Sequence, residues 1–294
     1  MRYYRIRDEA GQIHMTVETD PGSLTSLTAR NEEVKSFDDL MKASYVSGQS
    51  IDNITQNVLS SGSGPNFDLQ LAIESSKTGN PLLRIIRPLD PDEIWAGGIG
   101  NYPVPDEAVN NMPDFTRTAY EAERPPVMYK GGPTRLSGPF DNIGIRPDTK
   151  TVAEGELVLV VYKGQIVAYS TGNEVAGGFM GQTIWWMVPS KVFRGCASLG
   201  PCVVTPNSLP DPTDRVMELE IFRNGEKAGS AVNKTNHRRS PEDIVKWVTE
   251  HDSPPDLVII YTGGCVADGP LEEGDLVRIS LDGIGYVENR VSVI

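Results

Sequence analysis

Apolar runs with strand character dominate the chain, and short stretches with helical spacing interrupt them. The longest such run, Leu157-Val158-Leu159-Val160-Val161-Tyr162, is continuous and rich in β-branched residues. That is the pattern of a strand buried on both faces. Lys163-Gly164 follows as a short turn and Gln165–Thr171 as a returning strand, so residues 151–178 read as a hairpin. Pairing Tyr162 with Gln165 and keeping the register sets Glu154 opposite Asn173. Glu154 and Glu156, two apart, share a face. Simple alternation puts Glu174 on the other face, so a bend or bulge near Gly172 is expected to turn it inward.

The first 20 residues alternate around Tyr4, Ile6, Ile13, Met15 and Val17, which predicts a hairpin turning at Ala10-Gly11-Gln12. Ser36, with Asp39 three residues on, caps a helix. Ile51, Ile54, Val58 and Leu59 mark a second helix, and residues 66–80 fit either period. Residues 1–80 therefore read as a small α/β N-terminal domain with a packing role. Pro81–Pro88 reads as a strand leading to Gly97, Gly98 and Gly100, which allow close backbone approach. Residues 103–124 are polar, then helical, and are expected to form a lid. A strand ends at Lys130, and Trp185 and Trp186 suit a core or interface. Residues 214–233 form a hairpin with Asn224-Gly225 as a type I′ turn. Ser240 caps a helix running to His251, and Leu257–Thr262 is a strand ending in a Thr-Gly-Gly turn. Two last strands join through Asp282-Gly283. The fold class is mainly β with an α+β N-terminal part, residues 81–294 being the larger unit.

Composition narrows the function. The chain has 294 residues with 27 Lys and Arg against 40 Asp and Glu, a net charge of −13. That balance argues against sequence-independent nucleic-acid binding and against anionic membrane surfaces. No apolar run approaches the ~20 residues of a membrane span, and the N-terminus has no signal-peptide core. Cys196, Cys202 and Cys265 show no framework spacing, so a reduced, cytoplasmic setting is expected.

His14, His237 and His251 show no metal-ligand spacing, and there is no Gly-x-Ser-x-Gly or Cys-x-x-Cys motif. The chemistry left is that of a metal, carboxylates and lysine. Three carboxylates at one point repel unless a cation sits among them, and an all-oxygen donor set suits Mg²⁺, Mn²⁺ or Ca²⁺. Exposed strand-end glutamates in an acidic protein are the competing reading of the same spacing.

The order of segments settles more than any one of them. Asp-Pro-Asp-Glu-Ile-Trp-Ala-Gly-Gly, a lid, Tyr120–Gly131, Ser137–Ile143, Glu154-Gly155-Glu156, Pro189–Thr205 and the final Glu-Glu-Gly-Asp segment follow one another as in a known group. From about residue 80 onward the chain resembles the fumarylacetoacetate hydrolase superfamily. Tyr120–Pro125, Pro189–Pro201 and the Asn233–Arg239 stretch look most like its 2-keto-3-deoxy-sugar-acid (2-dehydro-3-deoxy-D-arabinonate) dehydratase branch. The resemblance implies a mixed β-sandwich roll, a homodimer or higher homo-oligomer, and Mg²⁺ (or Mn²⁺) held by Glu154, Glu156 and Glu174. It implies Lys191 as a lysine reaching substrate or metal-bound oxygens, and Lys130 as a basic residue beside the metal hairpin.

The chain also departs from the pattern. Glu174 stands where the family has Asp, Val175–Phe179 replaces a Ser-x-Arg-Asp-like run, and Gly264 replaces a threonine. The histidine of the hydrolytic lid dyad is missing, since none lies between residues 15 and 236. In the lid, Glu107 and Arg117 offer themselves instead. The function implied is a lyase that dehydrates a small 2-oxo acid through a metal-stabilised enolate, with Lys130 or Glu107 as base. Thr262, Gly263 and Arg194 are the expected substrate-binding residues. The alternatives are an acylpyruvate hydrolase or oxaloacetate decarboxylase, or a degenerate relative with a binding or specialised biosynthetic role.

Overall fold

The computed structural model describes the chain apart from residues 81, 98–102, 104, 113, 125, 179–186 and 268, and apart from the side chains of 115 and 187. Gly98, Gly100, Trp185 and Trp186 lie outside the described residues.

The N-terminal alternation forms β1 (Arg2–Asp8) and β2 (Ile13–Asp20), followed by β3 (Ser23–Ser26). Two helices follow, α1 (Phe37–Ser47) and α2 (Ile51–Ser60). The Asp39 carboxylate accepts the Ser36 N–H at 2.9 Å, and Ser50 Oγ accepts from Asn53 N at 3.2 Å. Residues 66–80 divide into β4 (Asn66–Asp68) and α3 (Leu69–Thr78), because Asp68 caps the helix through Leu71 N. Next come β5 (Leu83–Ile86), β6 (Glu93–Ala96), α4 (Asp106–Asn110), α5 (Asp114–Glu121) and β7 (Met128–Gly131). Short strands β8 (Leu136–Ser137), β9 (Ile143–Ile145) and β10 (Thr151–Val152) lead to the long hairpin. That hairpin is β11 (Glu154–Tyr162) and β12 (Gln165–Glu174). After it lie β13 (Ala176–Gly177), α6 (Met187–Lys191), β14 (Ala197–Val204), β15 (Val216–Arg223) and β16 (Glu226–Lys234). The chain closes with α7 (Pro241–Glu250), β17 (Leu257–Val266), β18 (Leu276–Leu281) and β19 (Gly285–Val293).

One sheet runs β4-β3-β2-β1-β14-β12-β11-β17-β6-β7, with β5 added to β1 and β8 to β14. A second runs β16-β15-β18-β19-β9. Strand β11 lies between β12 and β17, and its two faces enter different cores. Leu157, Leu159 and Val161 pack with Met217, Leu219, Ile221 and Ile279 of the second sheet. Val158, Val160 and Tyr162 pack with Phe37, Leu40, Met41 and Val58 from α1 and α2. Covering on both sides is the physical reason its sequence is continuously apolar. None of the helices among the described residues is long and apolar enough to cross a membrane.

Two features of register differ from the sequence reading. Tyr162 pairs with Gln165 and Val161 with Ile166, but Val160 pairs with Ala168, so Val167 is the extra residue of a bulge. In the β11–β12 pairing the bulge lies near the turn; beside Gly172 the irregularity is instead in the pairing of β12 with β14, between Tyr169 and Thr171. Beyond the β11–β12 bulge Gly155 faces Asn173 and Glu156 faces Gly172, and the next step sets Glu154 opposite Glu174. Cross-strand partners point to one side, so no bend at Gly172 is needed to bring the third acid inward. Strand β17 also does not end at Thr262. It runs on to Val266, pairing Glu156 with Gly264 and Glu154 with Val266 after its own irregularity beside Glu156.

Candidate metal centre

The open end of the β11–β12 hairpin lies at the same end of the sheet as the last residues of β17 and β6. Glu154, Glu156 and Glu174 each bring one carboxylate oxygen there, all within 4.8 Å of one another. Glu156 and Glu174 are both 2% exposed, and Glu154 is only partly covered. With Lys191 and Gly263 they line a cleft of about 120 Å³, walled on its apolar side by Ala96, Val127 and Met128.

Two lysines answer part of this negative charge. Lys191 Nζ, at the end of α6, lies 3.0 Å from Glu154 Oε1 and 2.6 Å from Glu174 Oε2. Lys130, fully buried on β7, donates to Glu174 Oε1, to Val175 O at 3.0 Å and to Lys191 O at 2.8 Å. All three of its protons are therefore spent. Lys130 holds Glu174 and the α6 backbone in place and has no proton acceptor to offer the cleft. Burial opposes charge on Glu174 most strongly, yet Lys130 and Lys191 together keep its carboxyl below the usual range. Burial likewise works against the Lys191 ammonium, and Glu154 and Glu174 outweigh it, so its pKa is raised.

The other two acids are less well compensated. Burial and then the proximity of Glu174 push Glu154 up to about 7, against the pull of Lys191. Burial, Glu174 and Glu154 push Glu156 well above the carboxylate range. Glu156 Oε2 accepts the Gly263 N–H at 2.8 Å, and no lysine or arginine ion-pairs with it among the described residues. A buried carboxylate with one backbone donor, beside two more acids, is a place where a cation relieves repulsion. The donors are all oxygen, which fits Mg²⁺ or Mn²⁺, and Glu154, Glu156 and Glu174 are the residues that would hold the ion.

Backbone geometry on β17 completes the site. Gly263 has φ 94°, which aims its N–H at Glu156. A Cβ at Gly264 would lie 2.0 Å from Gly155 O, so the third position of the Thr262-Gly263-Gly264 run in β17 admits no side chain here. Thr262 is buried, and its hydroxyl donates to Leu157 O at 3.0 Å.

The remaining predicted residues fall elsewhere. Glu107 on α4 is exposed and does not line the cleft, and Arg117 on α5 pairs with Asp114 at 2.5 Å. Arg194 is not brought to the acids either. It lines a separate surface concavity with Arg146, Asp148 and Phe193, because the chain turns away after α6 at Gly195, which has φ 71°. Sequence reasoning passed over His237. Its Nε2 lies 3.3 Å from both Gly263 O and Thr262 Oγ1, and burial holds its pKa down at about 4. The neighbouring arginines fasten the end of α5: Arg239 donates to Tyr120 O and Ala122 O, and Arg238 lies 3.7 Å from the centre of the Tyr120 ring. The Asn233–Arg239 stretch, singled out in the sequence only for its likeness to the dehydratase branch, thus links the end of α5 to the part of β17 that holds Glu156.

Comparison with known proteins gives a consistent picture. The family model described as Fumarylacetoacetate (FAA) hydrolase C-terminal matches residues 99–292. Over 303 residues the chain is 31% identical to a protein of Haloferax volcanii named as a probable 2-keto-3-deoxyxylonate dehydratase, with 100% of both chains covered. Over 232 residues it is 29% identical to 2-dehydro-3-deoxy-D-arabinonate dehydratase of Saccharolobus solfataricus, covering 74% of this chain and 77% of that one. A solved 2-keto-3-deoxy-D-arabinonate dehydratase, complexed with magnesium and 2,5-dioxopentanoate, matches with TM-score 0.79 and 23% identity. That match covers 100% of this chain and 99% of the other, and it shows a common fold. With the family model covering most of the chain and a relative matched from end to end, the chain belongs to the fumarylacetoacetate hydrolase family.

Proposed function

We propose that the chain is a divalent-metal-dependent lyase that dehydrates a 2-keto-3-deoxy-sugar acid. The observation that carries this reading is the convergence of Glu154, Glu156 and Glu174 beside Lys191, in a chain matched over its full length by a named dehydratase. Bound there, Mg²⁺ or Mn²⁺ supplies Lewis-acid polarisation of a 2-oxo group and so acidifies the neighbouring C3–H. Lys191 is the charged donor facing the cleft, placed to hold a substrate carboxylate or to assist departure of the C4 hydroxyl. Lys130 acts through Glu174, as a positioning residue. Ala96, Val127 and Met128 keep one wall of the cleft apolar, which limits competing water. The C3 proton needs an acceptor, and Glu107 is the candidate carried by the 103–124 segment; its exposure means that this segment must bring it over the cleft. Thr262 and Gly263 shape the substrate side through the backbone. The same reading makes the protein a cytoplasmic homodimer or higher homo-oligomer.

Purified protein with Mg²⁺ is expected to convert a 2-keto-3-deoxypentonate to 2,5-dioxopentanoate and water, and to stop when the metal is chelated. No turnover of any 2-keto-3-deoxyaldonate, together with no effect of Glu156→Gln, would sink the proposal. Turnover of acetylpyruvate or oxaloacetate above the metal-only background would move it to the hydrolytic or decarboxylating alternative.

A further inference from the structure

Strand β1 reads Arg-Tyr-Tyr-Arg-Ile-Arg-Asp, and alternation sends Tyr4 and Ile6 into the core and Arg5 and Arg7 outward. Strand β5 does the same, burying Leu83 and Ile85 and turning Arg84 outward. The two strands are antiparallel, with Arg7 opposite Arg84 and Arg5 opposite Ile86. Arg87, just beyond β5, comes to the same place. Together these four arginines line a cavity of about 440 Å³, closed on one side by Pro133–Leu136. That volume lies within the range of small-molecule sites.

The cavity's charge is opposite to the protein's. Its lining carries four guanidinium groups against two carboxylates, Asp90 and Asp141, which leaves two positive charges in a chain of net charge −13. Asp90 is shared between Arg5 and Arg87, at 2.6 Å from each, and Arg84 reaches Asp141 only at 3.7 Å. The Nε atoms of Arg5 and Arg84 are buried without a hydrogen-bond partner among the described residues. Arg87 is fixed in place by bonds from Nη1 to Pro133 O at 2.8 Å and Leu136 O at 2.6 Å. Arginines on an open surface would be individually hydrated, but here Arg5 keeps only 18% of its side-chain exposure and Arg87 only 26%, with Arg84 at 38% and Arg7 exposed at the rim. Like charges crowded in a concavity, with one guanidinium preset by backbone carbonyls, are stabilised by an anion that accepts from several forks at once.

We propose that this cavity is a binding site for a small dianion carrying a phosphate group or two carboxylates. It shares no lining residue with the carboxylate cleft, so it is a second site rather than an extension of the first.

Calorimetric titration of the full-length protein with inorganic phosphate, and separately with malonate, tests this against sodium chloride at matched ionic strength. A saturable component is expected with at least one of them, and the tighter ligand identifies the anion class. Arg7→Gln with Arg84→Gln should weaken that component by at least about 10-fold while leaving dehydration unchanged. If the double variant does not fold, Arg7→Gln alone, at the exposed arginine, is expected to weaken it measurably. The proposal is overturned if neither anion binds beyond the chloride control, or if binding persists undiminished in the folded variants. It is also overturned if the variants lose only self-association in light scattering, which would make the arginines a contact between copies.

Discussion

Two glutamate pairs in this chain share one spacing and one kind of hairpin. Glu154 and Glu156 open β11, and Glu218 and Glu220 lie in β15. Both hairpins turn on two residues of positive φ, Lys163-Gly164 at 50° and 76° and Asn224-Gly225 at 52° and 84°. Both carry a bulge at the same distance from the turn, with Val167 the extra residue in one and Ala228 in the other. Spacing, turn and bulge therefore do not distinguish a cation site from a solvated face. Three other things do. Both strands lie between two neighbours, but β11 has cores on both faces, whereas β15 buries only Met217, Leu219 and Ile221 and turns its glutamates outward. Continuing the β11–β12 register past Gly155 and Asn173 brings Glu174 across from Glu154, and their carboxylates meet, whereas Glu218 faces Val232 and Glu220 faces Ser230. The lysine that meets the outer pair, Lys227 on Glu220 at 2.5 Å, is 53% exposed, whereas Lys130 is fully buried.

The largest test of this contrast is to neutralise one acid of each pair. Glu156→Gln keeps an acceptor for the Gly263 N–H and removes only charge. It is expected to weaken Mg²⁺ by at least ~100-fold in calorimetric titration, since even supporting residues of metal sites cost 10–100-fold. Glu218→Gln should change neither metal affinity nor turnover. Equal behaviour of the two would dissolve the distinction.

Next in size is the lysine behind each pair. Lys130→Met leaves Glu174 with one ammonium instead of two in a buried place, and should cost about 3–5 kcal/mol in urea unfolding. Lys227→Met, breaking a surface pair, should cost less than about 1 kcal/mol. A small loss for Lys130→Met would show that Lys191 alone suffices to hold Glu174.

The smallest effect sharpens the comparison at Gly263 of β17, which backs Glu156 and has no counterpart behind Glu218 among the described residues. Burial depresses the folded pKa of His237 to about 4, below its unfolded value near 6.5. Protonation therefore favours unfolding, so this contribution is complete above pH 6.5 and is lost as pH falls through about 4. It amounts to no more than about 3 kcal/mol. His237→Asn should flatten the stability profile between those values and leave it unchanged above pH 7; an unaltered acid slope would show that His237 is not held neutral.

Many of the elements follow from short-range pattern alone. The N-terminal hairpin, the caps at Ser36 and Ser240, the turns at Lys163 and Asn224 and the doubly buried β11 all rest on local rules, which act over a few residues. The order of segments also placed Glu154, Glu156 and Glu174 together. What depends on where strands meet emerges only in the folded chain. An extra residue in β12 is invisible to alternation, yet it sets Glu174 against Glu154. Lys130 looked like a base and proved to have every proton committed, which only the positions of Val175 and Lys191 reveal. His237 reaches the site across 25 residues of chain from Thr262, and Arg5 and Arg84 share a cavity because two distant strands pair. Local propensity is written in neighbours, whereas burial, charge compensation and register are properties of contacts made after the chain has closed on itself.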